Sequence, residues 1–331
     1  MSPASYLTAP PRVAARIIAR RYVSPMRVGV VDLGTNSTRL LVADVEGEHV
    51  AEVSRRTVIT RLGEGVDERR KLLPLPVARV RNALSDYRRE LEQFGAERVL
   101  AIGTSAIRDA ENGEAFLGEI EWSYGFATRL LSGDEEAELT RRGVANGRAV
   151  GGDTLVLDVG GGSTELITAA ERTSIDVGSV RLTERYLRSD PPTREELEAA
   201  ARTVWAELPP LEPRDAIGVA GTITTLAALE LGEYDPERVH GYHVTREAVG
   251  ELLARLASLP LAERRALPGL EPERAPVIVG GAVVVREVLD RYGLDGLEAS
   301  ERDLLHGAAL EAAKLPEPVE GDAPPGAYTC C

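Results

Sequence analysis

The sequence predicts an α/β fold built from two related halves that face each other across a cleft. Three observations carry this. An apolar strand ending in aspartate and running into a glycine-containing turn occurs twice, at Val28-Gly-Val-Val-Asp32 and at Thr154-Leu-Val-Leu-Asp158. In each case small hydroxyl residues follow and a second apolar strand departs. Segments with helical and strand periodicity also alternate along the chain, the pattern of an α/β protein.

The elements follow in order. After the turn Leu33-Gly-Thr-Asn-Ser37, the run Arg39-Leu-Leu-Val-Ala-Asp-Val45 reads as the returning strand. Val77, Val80, Leu84, Tyr87 and Leu91 recur at helical spacing and predict a helix over 75–94, which Gly95 stops. Residues 98–102 form a short strand ending at Gly103. Residues 134–144 form a helix whose first turn is acidic, as the helix dipole favours. The second unit, Asp158-Val-Gly-Gly-Gly-Ser163 followed by Thr164-Glu-Leu-Ile167, repeats the logic of the first at a separation of 126 residues between the two aspartates. A strand is expected over 217–220, and further helices over 193–208, 223–231, 245–258, 273–292 and 303–314. One domain is expected to comprise residues 26–141 with 301–315, and the other 142–300.

Composition narrows the function classes. The 331 residues suffice for two domains of ordinary size. No apolar run reaches the roughly 18 residues of a membrane span, so no membrane association is expected. A net charge of −14 argues against nucleic acid as the main partner. Lysine occurs only at 71 and 314, so arginine supplies the positive charge that a polyanionic substrate would need locally. Cysteine occurs only at 330 and 331, which excludes a disulfide framework, fits a reducing cytoplasm and reads as a frayed tail. Residues 1–25 carry four arginines and no acid, without the apolar core of a secretory signal. Met26 reads as the translation start, with contact to an anionic surface as the alternative. Residues 316–331, rich in proline, glycine and acids, read as disordered.

The two turns carry the chemistry. Glycine lets backbone approach a ligand closely, and successive exposed N–H groups form an anion-binding concavity. Gly34, Thr35, Asn36 and Ser37 in the first turn, and Gly160, Gly161, Gly162, Ser163 and Thr164 in the second, are therefore candidate phosphate-binding residues. Asp32 and Asp158 are hard oxygen ligands suited to Mg2+. Other phosphate and acyl-transfer motifs do not fit. Neither lysine completes a Walker loop, and the 160–165 run fails the dinucleotide fingerprint. Glu165 stands where a nucleophile elbow needs glycine. His240 and His243 lack a third metal ligand and read as surface or packing residues. Arg55-Arg56, Arg69-Arg70 and Arg88-Arg89 read as solvated faces, with a polyphosphate track as the alternative.

Two phosphate turns, with Gly221-Thr-Ile-Thr-Thr225 as a third element, resemble the actin-like (ribonuclease H-like) ATPase superfold, which implies two such domains flanking a catalytic cleft. Within it, Gly103-Thr-Ser-Ala-Ile-Arg108, Leu131-Ser-Gly-Asp-Glu-Glu-Ala137, Leu157-Asp-Val-Gly-Gly-Gly-Ser-Thr-Glu-Leu166, Leu267-Pro-Gly-Leu270 and Arg274 to Gly281 resemble, in order, the exopolyphosphatase and guanosine pentaphosphate phosphatase family. The resemblance covers about 26–310. It implies a magnesium-dependent hydrolase that releases orthophosphate from inorganic polyphosphate or from guanosine pentaphosphate, in the cytoplasm and with a homodimer among the expected assemblies. It implies Glu136 as the residue that positions or deprotonates water, and Arg108 as the arginine that holds substrate phosphate. Asp158, Glu165 and Asp32 are implied at the metal, and Gly221 and Thr222 at phosphate. A sugar kinase lacks its sugar-binding aspartate motif here. A nucleotide-binding scaffold and a catalytically weak alarmone-binding protein are the non-hydrolytic alternatives. Two departures stand out. Longer members carry a further helical domain, and Ser300-Glu-Arg-Asp-Leu-Leu-His306 departs from their pattern, so Arg302 and His306 receive no role.

Overall fold

The structure, a computed structural model, describes residues 25–317. The expectations for residues 1–24 and for the tail from 318, Cys330 and Cys331 included, lie outside the described residues.

Nonpolar side chains on both faces of a strand require cover on both sides, and the first strand, β1 (Met26–Leu33), has it. Val31 and Leu33 enter one apolar cluster, and Val28 and Val30 enter another on the opposite face. β1 pairs antiparallel with β2 (Thr38–Glu46), which pairs antiparallel with β3 (His49–Val58). The other edge of β1 takes β4 (Arg98–Gly103) and then β5 (Ala127–Leu130), both parallel. The sheet order is β3-β2-β1-β4-β5. Its connections hold α1 (Val66–Arg69), α2 (Pro74–Phe94), α3 (Ser105–Asp109) and α4 (Gly113–Tyr124). α5 (Gly133–Val144) leads out of it.

The second sheet repeats this plan. β6 (Thr154–Val159), β7 (Thr164–Ile167) and β8 (Arg172–Ile175) form an antiparallel meander. α6 (Ser179–Tyr186) and α7 (Arg194–Glu207) follow, and β9 (Asp215–Val219) adds parallel to β6. Then come α8 (Ala220–Leu231), α9 (Pro236–Val239), β10 (His243–Thr245), α10 (Arg246–Ser258), α11 (Leu261–Arg264), α12 (Ile278–Tyr292) and β11 (Gly296–Ala299). The order is β10-β11-β9-β6-β7-β8, again a meander continued by parallel strands, β9 and β11, with β10 added antiparallel at the edge. α13 (Leu304–Ala312) comes last and returns to the first sheet, where Leu304, Leu305 and Ala308 join the cluster containing Val28 and Val30.

Local chemistry fixes the helix ends. Ser132 and Glu135 form a capping box at the start of α5, as Thr193 and Glu196 do for α7. Gly95 ends α2 in the left-handed conformation. Two boundaries differ from the sequence reading. α12 begins at Ile278 rather than at 273, because Pro276 disfavours helix at the residue before it. α8 begins at Ala220, one residue after β9, so Gly221 and Thr222 lie in its first turn rather than in a free turn. The sequence reading gave no expectation for the short elements α1, α3, α6, α9, α11, β5, β8, β10 and β11, nor for the ten-residue β3 and the twelve-residue α4.

Contacts on two sides help tie the sheets together. On one side, Arg181 from α6 bonds Asp109 and pairs with Asp67 at 3.2 Å, and Arg185 reaches Asp67 at 2.6 Å. On the other side α5 and α13 cross at backbone contact. A Cβ on Gly143 would stand 1.8 Å from the Asp303 carbonyl, and one on Gly307 would stand 1.9 Å from the Leu139 carbonyl. Backbone cannot yield as a side chain can, so Gly307→Ala is expected to destabilise the protein by roughly 1–3 kcal/mol. Gly118→Ala, on an open helix face with nothing within 4 Å, is expected to stabilise it by about 0.5–1 kcal/mol. Thermal melts of the two variants check both signs.

Candidate active site

Both strand-end aspartates lead into tight hairpins. The Gly34 N–H donates to the Ser37 carbonyl at 3.0 Å, and the Gly160 N–H donates to the Ser163 carbonyl at 3.1 Å. The hairpins nearly touch. A Cβ on Gly161 would come 2.9 Å from Thr35 Cβ, and one on Gly162 would come 2.4 Å from Ser105 Oγ. Glycine is therefore required at both positions for the two turns to face one cleft, whose volume is about 620 Å³.

The cleft wall includes Asp32, Gly34, Thr35, Asn36, Ser37, Glu136, Asp158, Gly160, Gly161, Gly162, Ser163, Gly221 and Thr222. Three expected site residues are not on it. Thr164 is fully buried and donates to the Val177 carbonyl at 2.6 Å, so its hydroxyl serves the fold rather than a phosphate. Glu165 is also fully buried, opposite Asp158 on β7, and accepts from Ser174 at 2.8 Å. Arg108 sits behind Glu136, donating to the Leu131 carbonyl at 2.8 Å and to Glu136 Oε2 at 3.3 Å. The expected phosphate-holding arginine is thus occupied with the glutamate instead.

Glu136 occupies the first turn of α5 with its side chain on the cleft wall. One helical turn later Thr140 donates to Asp158 Oδ2 at 3.3 Å, so a single helix positions Glu136 and supports Asp158. Sequence reasoning missed Arg39 and Asp303. Arg39 lies opposite Asp32 in the β1–β2 register and donates to Asp32 Oδ2 at 2.8 Å. Its other end bonds Asp303, which also caps α13 by accepting from the Leu305 N–H at 3.0 Å. The signal for Arg39 was available: it follows Asp32 by the same seven residues that separate Glu165 from Asp158. Arg55, Arg274, Tyr234 and Glu301 line the wall as well, without a spacing that singles them out.

Burial of so many carboxyls displaces their titration. Burial, then Glu165, pushes Asp158 up to about 8. Burial, then Glu165 and Asp158, raises Glu136 well above the usual range, against the pull of Arg108. Burial also raises Glu165, and it raises Asp32 despite Arg39. Asp303 goes the other way: burial pushes it up, but Arg39, the His306 hydrogen bond and Arg55 outweigh that and hold it low.

The model of the Ppx/GppA phosphatase family matches residues 41–315. The chain is 42% identical over 319 residues to Exopolyphosphatase 2 of Mycobacterium tuberculosis, covering 87% of this chain and 98% of that relative. It is 28% identical to Exopolyphosphatase 1 of Mycobacterium leprae, covering 90% and 92%. Among solved structures it is similar to the Aquifex aeolicus member of the Ppx/GppA family (TM-score 0.72, 31% identity, 87% and 98% covered). It is also similar to an exopolyphosphatase from Cytophaga hutchinsonii (TM-score 0.78, 25% identity, 88% and 99% covered).

Among the described residues, no three carboxylate or imidazole groups gather closely enough to enclose a metal by themselves. The three-ligand set expected from Asp32, Asp158 and Glu165 is therefore not formed. The donors still fit a divalent cation shared with substrate, which needs only one or two carboxylates. Asp32 Oδ1 and Glu165 Oε2 are buried without a partner, and the carboxyls pushed upward mark a surplus of negative charge. The sign of the pH effect follows. An acid whose pKa is raised by folding contributes its full stability below its ordinary value of about 3.9 and loses it as pH rises through the folded value. With divalent cations chelated, the melting temperature should fall from about pH 6 to about pH 8, and Asp158→Asn should flatten that fall. Restoring a divalent cation should raise the melting temperature most at the alkaline end.

Proposed function

Because the chain belongs to the Ppx/GppA phosphatase family, we propose that it is an exopolyphosphatase, which hydrolyses the terminal phosphoanhydride bond of inorganic polyphosphate to release orthophosphate. The observation that carries this reading is Glu136, a buried carboxyl on the wall of a cleft formed by two phosphate-type hairpins. We assign residues 26–141 with 301–315 to one lobe of the enzyme and 142–300 to the other. No helix of the described residues is long and apolar enough to cross a membrane, and a cytoplasmic location is part of the proposal.

The residues act as follows. The hairpin N–H groups of 35–37 and 161–163 and the hydroxyls of Thr35, Ser37 and Ser163 hold the terminal phosphate, while the Gly34 and Gly160 N–H groups close the turns. Glu136 accepts a proton from water as the water oxygen bonds to the terminal phosphorus. Its raised pKa makes it a stronger proton acceptor, and Arg108 keeps its ionised form accessible and its carboxylate oriented. The phosphoanhydride bond breaks with its electron pair on the bridging oxygen, leaving orthophosphate and a chain one unit shorter. Asp32 and Asp158 are the wall carboxylates suited to hold Mg2+, which when bound supplies positive charge to the phosphoryl oxygens. Such catalysis is mainly positioning and charge stabilisation.

A second reading, the same chemistry on guanosine pentaphosphate, draws on the outer wall, where Tyr234, Leu270, Val277 and Ile278 offer apolar surface to a nucleoside. Phosphate release from polyphosphate, guanosine pentaphosphate and ATP, with and without Mg2+, separates the two. A general base contributes about 10²–10⁴-fold, so Glu136→Gln should lower kcat at least about a hundredfold with little change in KM. A folded Glu136→Gln variant that turns over near the wild-type rate would sink the assignment.

A further inference from the structure

Arg39 sets its guanidinium at the floor of the cleft with every nitrogen committed. Nε and Nη2 lie 2.8 and 2.7 Å from one oxygen of Asp32, Oδ2, and Nη1 donates to Oδ2 of Asp303. The second Asp32 oxygen, Oδ1, is buried without a partner. Asp158 lines the same cleft, its Oδ2 accepting from Thr140 at 3.3 Å. Burial works against the charge on Arg39, but Asp303, then Asp32 and Asp158, outweigh it and hold the pKa of the guanidinium up. Three carboxylates therefore compete for one cation of the chain's own.

Asp303 differs from the other two in how it is held. Asp32 and Asp158 lie near the ends of buried strands, whereas Asp303 begins α13. The crossing of α5 and α13 fixes its backbone, since a Cβ on Gly143 would stand 1.8 Å from its carbonyl. Its Oδ1 accepts from the Leu305 N–H at 3.0 Å, and its N–H donates to His306 Nδ1 at 3.4 Å. The cap thus occupies one carboxylate oxygen and leaves Oδ2 to Arg39. A helix cap needs only a neutral acceptor, and serine or asparagine serves as well as aspartate. The negative charge of Asp303 is surplus to the cap, and Arg39 takes it up.

We propose that Asp303 is a positioning residue: it draws Arg39 to the Asp32 side of the floor and so leaves Asp158 and Asp32 Oδ1 open to a divalent cation. The inference rests on the reading that these two aspartates take Mg2+. Without Asp303, Arg39 keeps one carboxylate partner in a buried site, where an unpaired charge is costly. Asp158, whose charge already acts on it, offers a second. Arg39 then neutralises the carboxylate on which the cation depends.

The test reads cation binding by the full chain without substrate. The rise in melting temperature with added Mg2+ gives a midpoint concentration. Asp303→Ser keeps a cap acceptor but is short and uncharged, and it should raise that midpoint by about tenfold, within the range of couplings inside one salt-bridge network. Asp303→Asn, the closer isostere, should move it in the same direction and carries the comparison if the serine variant does not fold. A through-space effect of the lost charge would act with or without Arg39. In an Arg39→Gln background, by contrast, Asp303→Ser should leave the midpoint within about twofold. In the hydrolysis assay the Asp303 variants should need more Mg2+, with kcat at saturating Mg2+ little changed. An unmoved midpoint in the Asp303 variants, or an equal shift with and without Arg39, would overturn the inference. Failure of both variants to fold would make the charge a requirement of the fold and overturn it as well. A wild-type melting temperature that does not respond to Mg2+ would overturn the cation reading of Asp32 and Asp158, and this inference with it.

Discussion

Five carboxylates, those of Asp32, Glu136, Asp158, Glu165 and Asp303, are buried around the floor of one cleft, and two guanidinium groups, Arg39 and Arg108, are set among them. An isolated buried carboxylate is strongly disfavoured, and it either finds a partner or takes up a proton. Here two arginines cannot neutralise five acids: burial, reinforced by neighbouring carboxylates, raises Glu136 and Asp158, burial raises Glu165, and Asp32 and Glu165 each keep an unpartnered oxygen. Much of the surrounding architecture serves to hold this unfavourable grouping in place. β1 and β6 anchor the aspartates in buried strands, α5 fixes Glu136 and braces Asp158, and α13 presents Asp303 to Arg39.

The duplicated hairpins are not equivalent at this level. In both, the residue seven positions after the aspartate lies directly opposite it across the antiparallel pair. In the first hairpin that residue is Arg39, and the pair is close to neutral. In the second it is Glu165, and the pair carries like charges. One half of the molecule therefore supplies an aspartate paired with an arginine and the other a like-charged acidic pair. The same register that makes the halves look alike in topology divides their chemistry.

Much of this was legible in the sequence. The duplicated strand–glycine–hydroxyl pattern announced both sheets, because a buried strand and a tight turn each restrict composition over consecutive residues. Gly161, Ser163 and Asp158 lie on the cleft wall for the same reason, as parts of those turns, whereas Glu136, also on the wall, was expected only through the family resemblance. What was not legible depends on distance in the chain. Arg108 was expected at the substrate, but β4 and α3 place it behind Glu136, which no local pattern reveals. Asp303 lies 264 residues from Arg39, and its segment departed from the expected pattern, so nothing pointed to it. Arg55 was one of several arginine pairs on an edge strand, and only the return of residues 300–303 to that strand makes it a cleft residue. Short elements such as β5 and β11 have too few residues for periodicity to register.

The crossing of α5 and α13 bears on how the protein is made. Glu136 is synthesised before the midpoint of the chain, on a helix whose carbonyls at Leu139 touch Gly307 and whose Gly143 touches Asp303. Until residues 303–312 have emerged from the ribosome, α5 lacks the surface that seats it, and Arg39 lacks one of its two carboxylate partners. A nascent chain then holds both hairpins but not the assembled acid cluster. The enzyme's competence is thus deferred until residues 303–312 have been made, by a long-range contact that folds slowly because its partners are far apart in sequence.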